Sequence, residues 1–359
     1  MHIPYCRQLC WYCGRNTYLT RGGDIPDFVT TPMTEIDLVA SAIGSHNVNE
    51  IHWGGGTPNI LSPNEFLRLQ HHLDFWFDLA PNLSHAIELD PRHVTRALAT
   101  TYIQAGVNRV SLGVQDLSFD LMYGLPHQTV RDVARTIRLA AELAPNRIAL
   151  FGYAHVPWFK RRQRLIDADA LPDAEARFKQ AELARTLLCD LGYESIGLDH
   201  FAKPEDPLAK AAHARTLHRN FQGYVPSSAD ALIGFGPSAI SRLPQGYAQN
   251  LPAVRTWGRV VESGRLLTVR GHTQSGDGGR REAIVESLMC DLEVDLAPLS
   301  GAAAFSASLT ALAPLALDGL VEINGDIIRV PTNMRPFCRL VASAFDAYAN
   351  AGTQHSKAI

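Results

Sequence analysis

CRQLCWYC, residues 6–13, places three cysteines within eight positions of a chain of 359 residues. Cys6, Cys10 and Cys13 follow the spacing C-x3-C-x2-C. Thiolates are the usual ligands of iron–sulfur clusters, so this loop can hold three irons of a 4Fe-4S cube and leave the fourth iron open. An open metal position is typical of sites where a cofactor or substrate binds. The spacing alone also permits a zinc site completed by His2, or three thiols without a metal.

Composition limits the class of protein. Hydrophobic residues make up 46% of the chain and charged residues 19%, which is ordinary for a soluble enzyme. The net charge of -3 gives no reason to expect nucleic acid or an anionic membrane as a partner. We find neither an apolar stretch of about 18 residues nor a signal peptide, so we expect a cytoplasmic protein. Six cysteines are too few for a disulfide scaffold.

Short β-branched runs alternate with helical patterns through most of the chain. Residues 49–58 indicate a strand that ends in a glycine turn, and a helix follows in which Ser62 and Glu65 form a capping box. Residues 130–143 have the apolar spacing of a helix, and YESIGLDHF, residues 193–201, indicates one further strand. This alternation predicts a parallel sheet or barrel with its chemistry at the carboxyl ends of the strands.

The pattern changes beyond about residue 250. A helical segment follows, and LVEINGDIIRV predicts a hairpin with Asn324 and Gly325 at its turn. We therefore divide the chain into a partial barrel, residues 1–250, and a small, mainly helical C-terminal domain, residues 251–359. We expect this second domain to cover the mouth of the barrel as a lid.

One junction conflicts with a regular barrel. Only Asp116, Leu117 and Ser118 separate the strand pattern SLGVQ from the strand pattern FDLMYGL. Neighbouring parallel strands need a connection of about a dozen residues or more. We therefore expect the two runs to pair as a hairpin, to merge into one strand, or to lie apart in the sheet.

Several motifs follow one another in order: HIPYC, HWGGGTP, ELDPR, GVNRVSLGVQD, DLMYGLPHQT, YAHVP, LDHFAKP, LHRNFQGY and SAIS. The cysteine loop resembles that of the radical S-adenosylmethionine (SAM) superfamily, and the series as a whole resembles the oxygen-independent coproporphyrinogen III oxidases. The resemblance runs from His2 nearly to the C-terminus. It implies an α/β fold, an incomplete (β/α)6-type radical SAM barrel with a small, mainly helical C-terminal domain.

The resemblance implies two cofactors, a 4Fe-4S cluster and SAM. Cys6, Cys10 and Cys13 would ligate the cluster, and SAM would chelate the open iron. The positions that match SAM contacts of the family are Tyr12, Gly55, Gly56, Thr57, Glu88, Gln115, Asp120, Ala154 and Ile240. The family holds two SAM molecules, the second near the positions of Ala154 and Ile240. Without the resemblance, Tyr12 is equally well explained as a core aromatic residue, and Ala154 and Ile240 as packing residues.

The reaction that the resemblance implies is oxidative decarboxylation of two propionate side chains of coproporphyrinogen III to vinyl groups. We expect an electron-donor protein such as a flavodoxin as partner, no nucleic acid or membrane partner, and a monomer. An alternative is a haem- or cluster-binding relative without oxidase activity. In such carriers the loop continues as C-x-Y-C-D-F, whereas this chain has CWYCGRN. A stoichiometric Soret shift on adding haem would favour the carrier.

The sequence departs from the family pattern in three places. The chain begins at Met1, so most of the strand before HIPYC, with a tyrosine beside SAM, is absent. Arg15 stands where the family usually has a cysteine that is not an iron ligand. The short junction replaces a helix and the approach to the next strand, a segment that in the family carries an arginine contacting SAM. We therefore expect an enzyme that is impaired or inactive.

Overall fold

The computed structural model describes residues 1–11, 13–20, 23–111, 117–221, 223–226, 229–274 and 276–348. Of residues 117 and 118 only the backbone is described. The chain forms two compact units. The first comprises Met1–Phe119 and Ala229–Thr273, and the second comprises Asp120–Ser228 and Gln274–Ile359. Each unit is described by itself below.

The α-helices lie in both units. Within the described residues they are α1 (Ile25–Ile43), α2 (Pro63–Trp76), α3 (Arg96–Gln104), α4 (Val130–Glu142), α5 (Ala174–Asp190), α6 (Pro207–His213), α7 (Val254–Glu262), α8 (Gly278–Asp291), α9 (Ser306–Leu317) and α10 (Cys338–Ser343). No helix of the described ranges is both long enough and apolar enough to span a membrane.

The strands are short, apart from two in the first unit. In the same described ranges they are β1 (His2–Ile3), β2 (Tyr5–Cys6), β3 (Tyr18–Leu19), β4 (Asn47–Gly55), β5 (Asp78–Glu88), β6 (Arg109–Ser111), β7 (Leu117–Tyr123), β8 (Arg147–Gly152), β9 (Glu194–Ile196), β10 (His200–Ala202), β11 (His218–Asn220), β12 (Gly223–Val225), β13 (Ile240–Leu243), β14 (Gly246–Asn250), β15 (Thr268–Thr273), β16 (Glu293–Asp295), β17 (Glu322–Asn324) and β18 (Ile327–Arg329).

The first unit contains a parallel sheet with helices packed on it, as the alternation predicted. Its strand order is β1-β4-β5-β6, followed by the first residues of β7. The predicted capping box of α2 is confirmed: the Glu65 backbone N–H donates to Ser62 Oγ, and the Ser62 N–H donates to a Glu65 carboxylate oxygen. Trp53, Phe66 and Tyr102 lie in the core between sheet and helices.

The prediction for the short junction was wrong. Strands β6 and β7 are parallel neighbours, with Val110 opposite Leu117 and Ser111 opposite Ser118. The connecting residues 112–116, and with them Asp116, lie outside the described residues. A parallel pair this close in sequence is possible because β6 is only three residues long. Each linking residue spans up to about 3.5 Å, so a few residues can cover so short a return path.

The second part of this unit, residues 229–273, forms an antiparallel sheet of β13, β14 and β15, and α7, between β14 and β15 in the chain, packs against α1. Glu35 of α1 attaches this segment to the parallel sheet. Its buried carboxylate accepts hydrogen bonds from the Gly236 backbone N–H at 2.6 Å, the Asn250 amide at 2.7 Å and the Trp257 indole at 3.1 Å. Burial raises the pKa of Glu35, although these hydrogen bonds oppose the shift.

The second unit differs from the predicted pattern in one sheet. YESIGLDHF was expected as one strand, but it forms β9 and β10, which turn at Gly197 and pair antiparallel. Strand β10 also pairs antiparallel with β8. Helices α4 and α5 pack together, and α4 buries Val133, Ile137 and Ala140 on the apolar face of the expected helix. A hairpin of this type needs only a tight turn, whereas a parallel arrangement would need a longer connection.

Residues 274–348 contain α8, α9 and α10 with a core of their own, in which Leu288, Phe305, Ile328 and Phe345 are buried. The predicted hairpin is confirmed: β17 and β18 pair antiparallel, and Gly325 in the turn has a positive φ of 64°. Strand β15 belongs to the predicted lid domain, which begins after residue 250, but it pairs with β14 of the predicted barrel. The division into a barrel, residues 1–250, and a lid domain, residues 251–359, stays a prediction.

We expect Glu35→Gln to lower the free energy of unfolding by about 1–3 kcal/mol. The amide keeps one acceptor oxygen and replaces the other with an NH2 group, so at least one of the three donors loses its acceptor and faces another donor. Urea denaturation of the chain without cofactors measures the loss. Asp74→Asn, at an exposed position of α2, is the matched control and should change the stability by less than about 0.5 kcal/mol. Equal stability of Glu35→Gln and the control would contradict the role of Glu35.

Candidate functional site

The cysteine loop is closed at its base by a pair of short strands. Cys6 ends β2, which pairs parallel with β3. The Tyr18 backbone N–H donates to the Pro4 carbonyl at 2.7 Å, and the Thr20 N–H donates to the Cys6 carbonyl at 3.1 Å. The chain between the two strands therefore forms a loop whose ends are held together by backbone hydrogen bonds.

None of the three cysteines of this loop is in a disulfide. Cys6 and Cys13 are half-buried and Cys10 is exposed, and the Cys13 N–H donates to the Cys10 carbonyl at 3.3 Å. Within the ranges that the structure describes, no three Cys, His, Asp or Glu side chains are grouped as ligands of one metal ion. Three cysteine thiols on one closed loop have the donor chemistry that an iron–sulfur cluster requires, so the residues present fit this cofactor.

The glycine turn after β4 lies directly against the strands that lead into the loop. The Gly56 N–H donates to the Ile3 carbonyl at 2.6 Å, and the Thr57 N–H donates to the Tyr5 carbonyl at 2.9 Å. A Cβ at Gly56 would lie 2.5 Å from the Tyr5 oxygen and 3.0 Å from the Cys6 sulfur, which is too close. Gly55 has a positive φ of 109°, and the His2 ring fills the space where its side chain would be.

These contacts give a structural reason for the glycines. Gly55 and Gly56 leave room for the N-terminal strand and for Cys6. The Thr57 hydroxyl donates to the Cys6 sulfur at 3.4 Å. Thr57 is thus the side chain of the turn that reaches the cysteine loop.

Glu88 ends β5, and its carboxylate is held at both oxygens. Arg15 of the cysteine loop forms an ion pair with Oε2, and His52 Nε2 lies 3.4 Å from Oε1. The side chain of Glu88 remains 20% exposed. Burial alone raises the pKa of Glu88, but the hydrogen bond from His52 and the charge of Arg15 outweigh it and lower the pKa to about 2. The carboxylate therefore stays ionised at neutral pH.

A second set of contacts joins the end of β5 to the cysteine loop. The Arg92 guanidinium pairs with Asp90 at 2.7 Å and donates to the Gln8 amide oxygen at 2.8 Å. Asn59, after the glycine turn, exchanges two hydrogen bonds of 2.9 Å with the Asp90 backbone. The three segments that carry Cys6, Thr57 and Glu88 are therefore linked by side chains as well as by backbone.

The structure brings some predicted site residues together and not others. Cys6, Gly55, Gly56, Thr57 and Glu88 lie within one network of contacts in the first unit. Ile240 opens β13 of the same unit and is half-buried. Asp120 in β7 and Ala154 after β8 are exposed residues of the second unit. Tyr12 and Gln115 lie outside the described residues.

A hollow of about 570 Å³ borders the cysteine loop. Its walls contain Arg7, Gln8, Leu9, Cys10, Trp11, Leu19 and Arg92. Trp11 and Leu19 are more than half exposed, which is unusual for large apolar side chains. The lining combines two arginines with apolar groups and contains no Asp or Glu among the described residues, so it would suit an anionic partner.

Sequence reasoning missed the role of three residues. Arg15 was noted only as a departure from the family pattern, His52 was not considered, and Arg92 was left unassigned. One signal was present: a cation within two positions of the last cysteine and a carboxylate at a strand end could have been paired. The histidine gave no such signal, because nothing in the sequence shows that the β4 and β5 side chains meet.

Comparison with known proteins gives consistent relationships. A profile of the radical SAM superfamily matches residues 1–155. An oxygen-independent coproporphyrinogen III oxidase of Bradyrhizobium diazoefficiens is 41% identical, and the alignment covers all of this chain and 89% of the relative. The enzyme of the same name from Escherichia coli is 33% identical over 97% of this chain and 85% of its own length.

A solved structure is also similar. The coproporphyrinogen III oxidase of Escherichia coli, described as a radical SAM enzyme, matches with a TM-score of 0.92 and 33% identity over 97% of this chain and 89% of that one. The predicted α/β fold of the radical SAM type is thus confirmed. The alignment with the Bradyrhizobium relative extends over 399 positions, so 40 or more of them have no counterpart inside this chain of 359 residues.

We expect Gly56→Ala to lower the iron and acid-labile sulfide retained after anaerobic reconstitution severalfold. The new Cβ meets a backbone carbonyl and the Cys6 sulfur, neither of which can move without displacing the loop. Gly14→Ala, in the same loop, is the control, because a Cβ there has no neighbour within 4 Å. Wild-type iron content in Gly56→Ala would show that the close approach of the turn does not matter for the cluster.

Proposed function

The chain belongs to the oxygen-independent coproporphyrinogen III oxidases of the radical SAM superfamily, and we propose that it converts coproporphyrinogen III to protoporphyrinogen IX at a lowered rate. Membership of this superfamily implies a 4Fe-4S cluster and SAM. When bound, the reduced cluster and SAM supply the radical that removes a hydrogen atom from a substrate propionate, after which carbon dioxide and an electron leave.

The observation that carries this proposal is the junction of the cysteine loop with the glycine turn. Cys6, Cys10 and Cys13 would hold three irons of the cluster. The turn of Gly55, Gly56 and Thr57 lies beside that loop, and Glu88 presents a partly exposed, ionised carboxylate next to it. A carboxylate of this kind can accept hydrogen bonds from ribose hydroxyls or from an ammonium group of SAM. The arrangement thus supports our proposal that SAM binds between the cysteine loop and Glu88.

The remaining SAM contacts rest on the resemblance. We propose Tyr12 beside the adenine, and Gln115 and Asp120 as further contacts of SAM. A second SAM molecule, near Ala154 and Ile240, is likewise proposed from the family pattern. We also propose that the protein is a cytoplasmic monomer. We propose no nucleic-acid or membrane partner, because a net charge of -3 gives the chain no electrostatic attraction to nucleic acid or to an anionic membrane.

The lowered rate follows from the missing segment. Only residues 112–116 connect β6 to β7, where the family has a helix and an arginine that contacts SAM. The alignment with the Bradyrhizobium relative supports a missing segment, because 40 or more of its positions in total have no counterpart in this chain. Losing one charge-assisted contact to SAM costs about 1.5–3 kcal/mol, which is roughly tenfold to more than a hundredfold in affinity.

The hollow beside the cysteine loop supports a proposal for the electron donor. We propose that an acidic donor protein such as a flavodoxin docks there. Cys10 is part of the lining, so a cluster bound to it would lie close to the docked protein. Arg7 would attract the donor's acidic surface, whereas the charge of Arg92 is paired with Asp90, and the exposed Trp11 offers an aromatic anchor of the kind that is enriched at interfaces.

The activity is tested on protein reconstituted without oxygen, by following SAM cleavage to methionine and vinyl formation from coproporphyrinogen III. We expect both, at rates at least about tenfold below those of the Escherichia coli relative measured alongside. Cys6→Ala, Cys10→Ala and Cys13→Ala should abolish both products, because each removes an iron ligand. Cys189→Ala, which removes an exposed cysteine elsewhere, should not. Rates equal to the relative's would contradict the impairment, and absence of SAM cleavage in the wild type would contradict the activity.

The docking surface is tested by reducing the cluster with flavodoxin and, separately, with dithionite. We expect Arg7→Glu to slow reduction by flavodoxin about tenfold at low salt and to leave reduction by dithionite unchanged, because the substitution repels an acidic protein. Arg131→Glu, an equal change of charge at an exposed position of α4, is the control. Equal slowing in both variants, or none in either, would mean that the donor docks elsewhere.

A further inference from the structure

Arg15 is a charged residue of the cysteine loop to which the proposed function gives no role. Its Nη1 pairs with Glu88 Oε2 and also donates to the Gly55 carbonyl at 3.4 Å. One guanidinium therefore contacts the end of β4 and the end of β5 from the loop that carries the cysteines. The matched sequence pattern assigned SAM contacts to both partners of Arg15 but none to Arg15 itself.

Stability alone does not account for this pair. The Arg15 side chain is 48% exposed and that of Glu88 20% exposed, and pairs with this much exposure contribute little to folding. The effect of the pair is instead local. Arg15 and His52 hold the two oxygens of Glu88, so the carboxylate has one orientation rather than several. Groups that bind a ligand work best when neighbouring residues fix their rotamers in this way.

The ion pair also leaves Glu88 able to bind. An ionised carboxylate has about four lone-pair sites on its two oxygens, and Arg15 and His52 use one site on each. The side chain of Glu88 is 20% exposed, so its carboxylate can accept a further hydrogen bond from a ligand. A guanidinium next to the carboxylate weakens its attraction for a cation, so the proposal requires that SAM is recognised through directed hydrogen bonds to a carboxylate of fixed geometry.

We propose that Arg15 is a positioning residue of the SAM site, which acts by holding the Glu88 carboxylate in the orientation that SAM recognises. The inference rests on the proposed function, since it concerns the same SAM site. It extends that function by giving this chain's arginine a defined partner and a defined effect. In this proposal Arg15 acts through Glu88 rather than by contacting SAM itself.

The test is a double-mutant cycle on protein reconstituted without oxygen. Iron content is measured first, and then the SAM dissociation constant and the change that SAM produces in the EPR spectrum of the reduced cluster. We expect Arg15→Met and Glu88→Gln each to keep the iron and to weaken SAM binding about tenfold. Arg15→Lys should recover part of the affinity, because it keeps a cation near Glu88. Arg15→Met in the Glu88→Gln background should weaken binding by less than about twofold more.

Arg185→Met is the matched control, because Arg185 pairs with Glu182 on an exposed face of α5 at a similar exposure. It should leave the SAM dissociation constant unchanged. Equal or tighter SAM binding by Arg15→Met, additive effects in the cycle, or loss of iron from Arg15→Met but not from Glu88→Gln would each overturn the inference. A wild-type protein that holds no cluster or binds no SAM would instead refute the proposed function, so the two failures are distinguishable.

Discussion

The site depends on one close approach of backbone to backbone. The turn after β4 lies so near to the N-terminal strand that the Tyr5 carbonyl and the Cys6 sulfur occupy the space of any side chain at Gly56. This approach brings the cysteine loop beside the carboxyl end of the parallel sheet. Parallel strands place their carboxyl ends along one edge, and Glu88 reaches the same edge from β5. Sheet geometry alone thus brings together the cysteine loop, the glycine turn and the Glu88 carboxylate.

Two carboxylates of the first unit show how different environments shift the pKa of the same residue type in opposite directions. Glu35 is fully buried, accepts three neutral hydrogen bonds and has a raised pKa, so it serves as an internal anchor between α1 and residues 229–273. Glu88 lies at an open strand end, meets Arg15 and has a pKa lowered to about 2. Both are glutamates near the same sheet. The pKa values move in opposite directions because burial dominates at Glu35, whereas the hydrogen bond from His52 and the charge of Arg15 outweigh burial at Glu88.

Much of this could be predicted from the sequence, where local chemistry decides the outcome. The capping box at Ser62, the apolar face of α4 and the turn at Gly325 depend on neighbouring residues and appeared as expected. The antiparallel β8, β10 and β9, and the parallel pairing of β6 with β7, depend on contacts that local patterns do not encode. The contact of Arg15 with Glu88 joins residues 73 positions apart. No spacing rule reports such a pair, although the motifs on either side of it identified the family.

The central claim is that three thiolates hold a 4Fe-4S cube whose fourth iron is open to SAM. Mössbauer spectroscopy of the chain reconstituted with ⁵⁷Fe, recorded with and without SAM, tests it most directly. The account predicts four irons per chain, of which one changes its spectrum on addition of SAM while the other three do not. Spectra in which all the irons are equivalent and unaffected by SAM, or a chain that retains no iron, would contradict it.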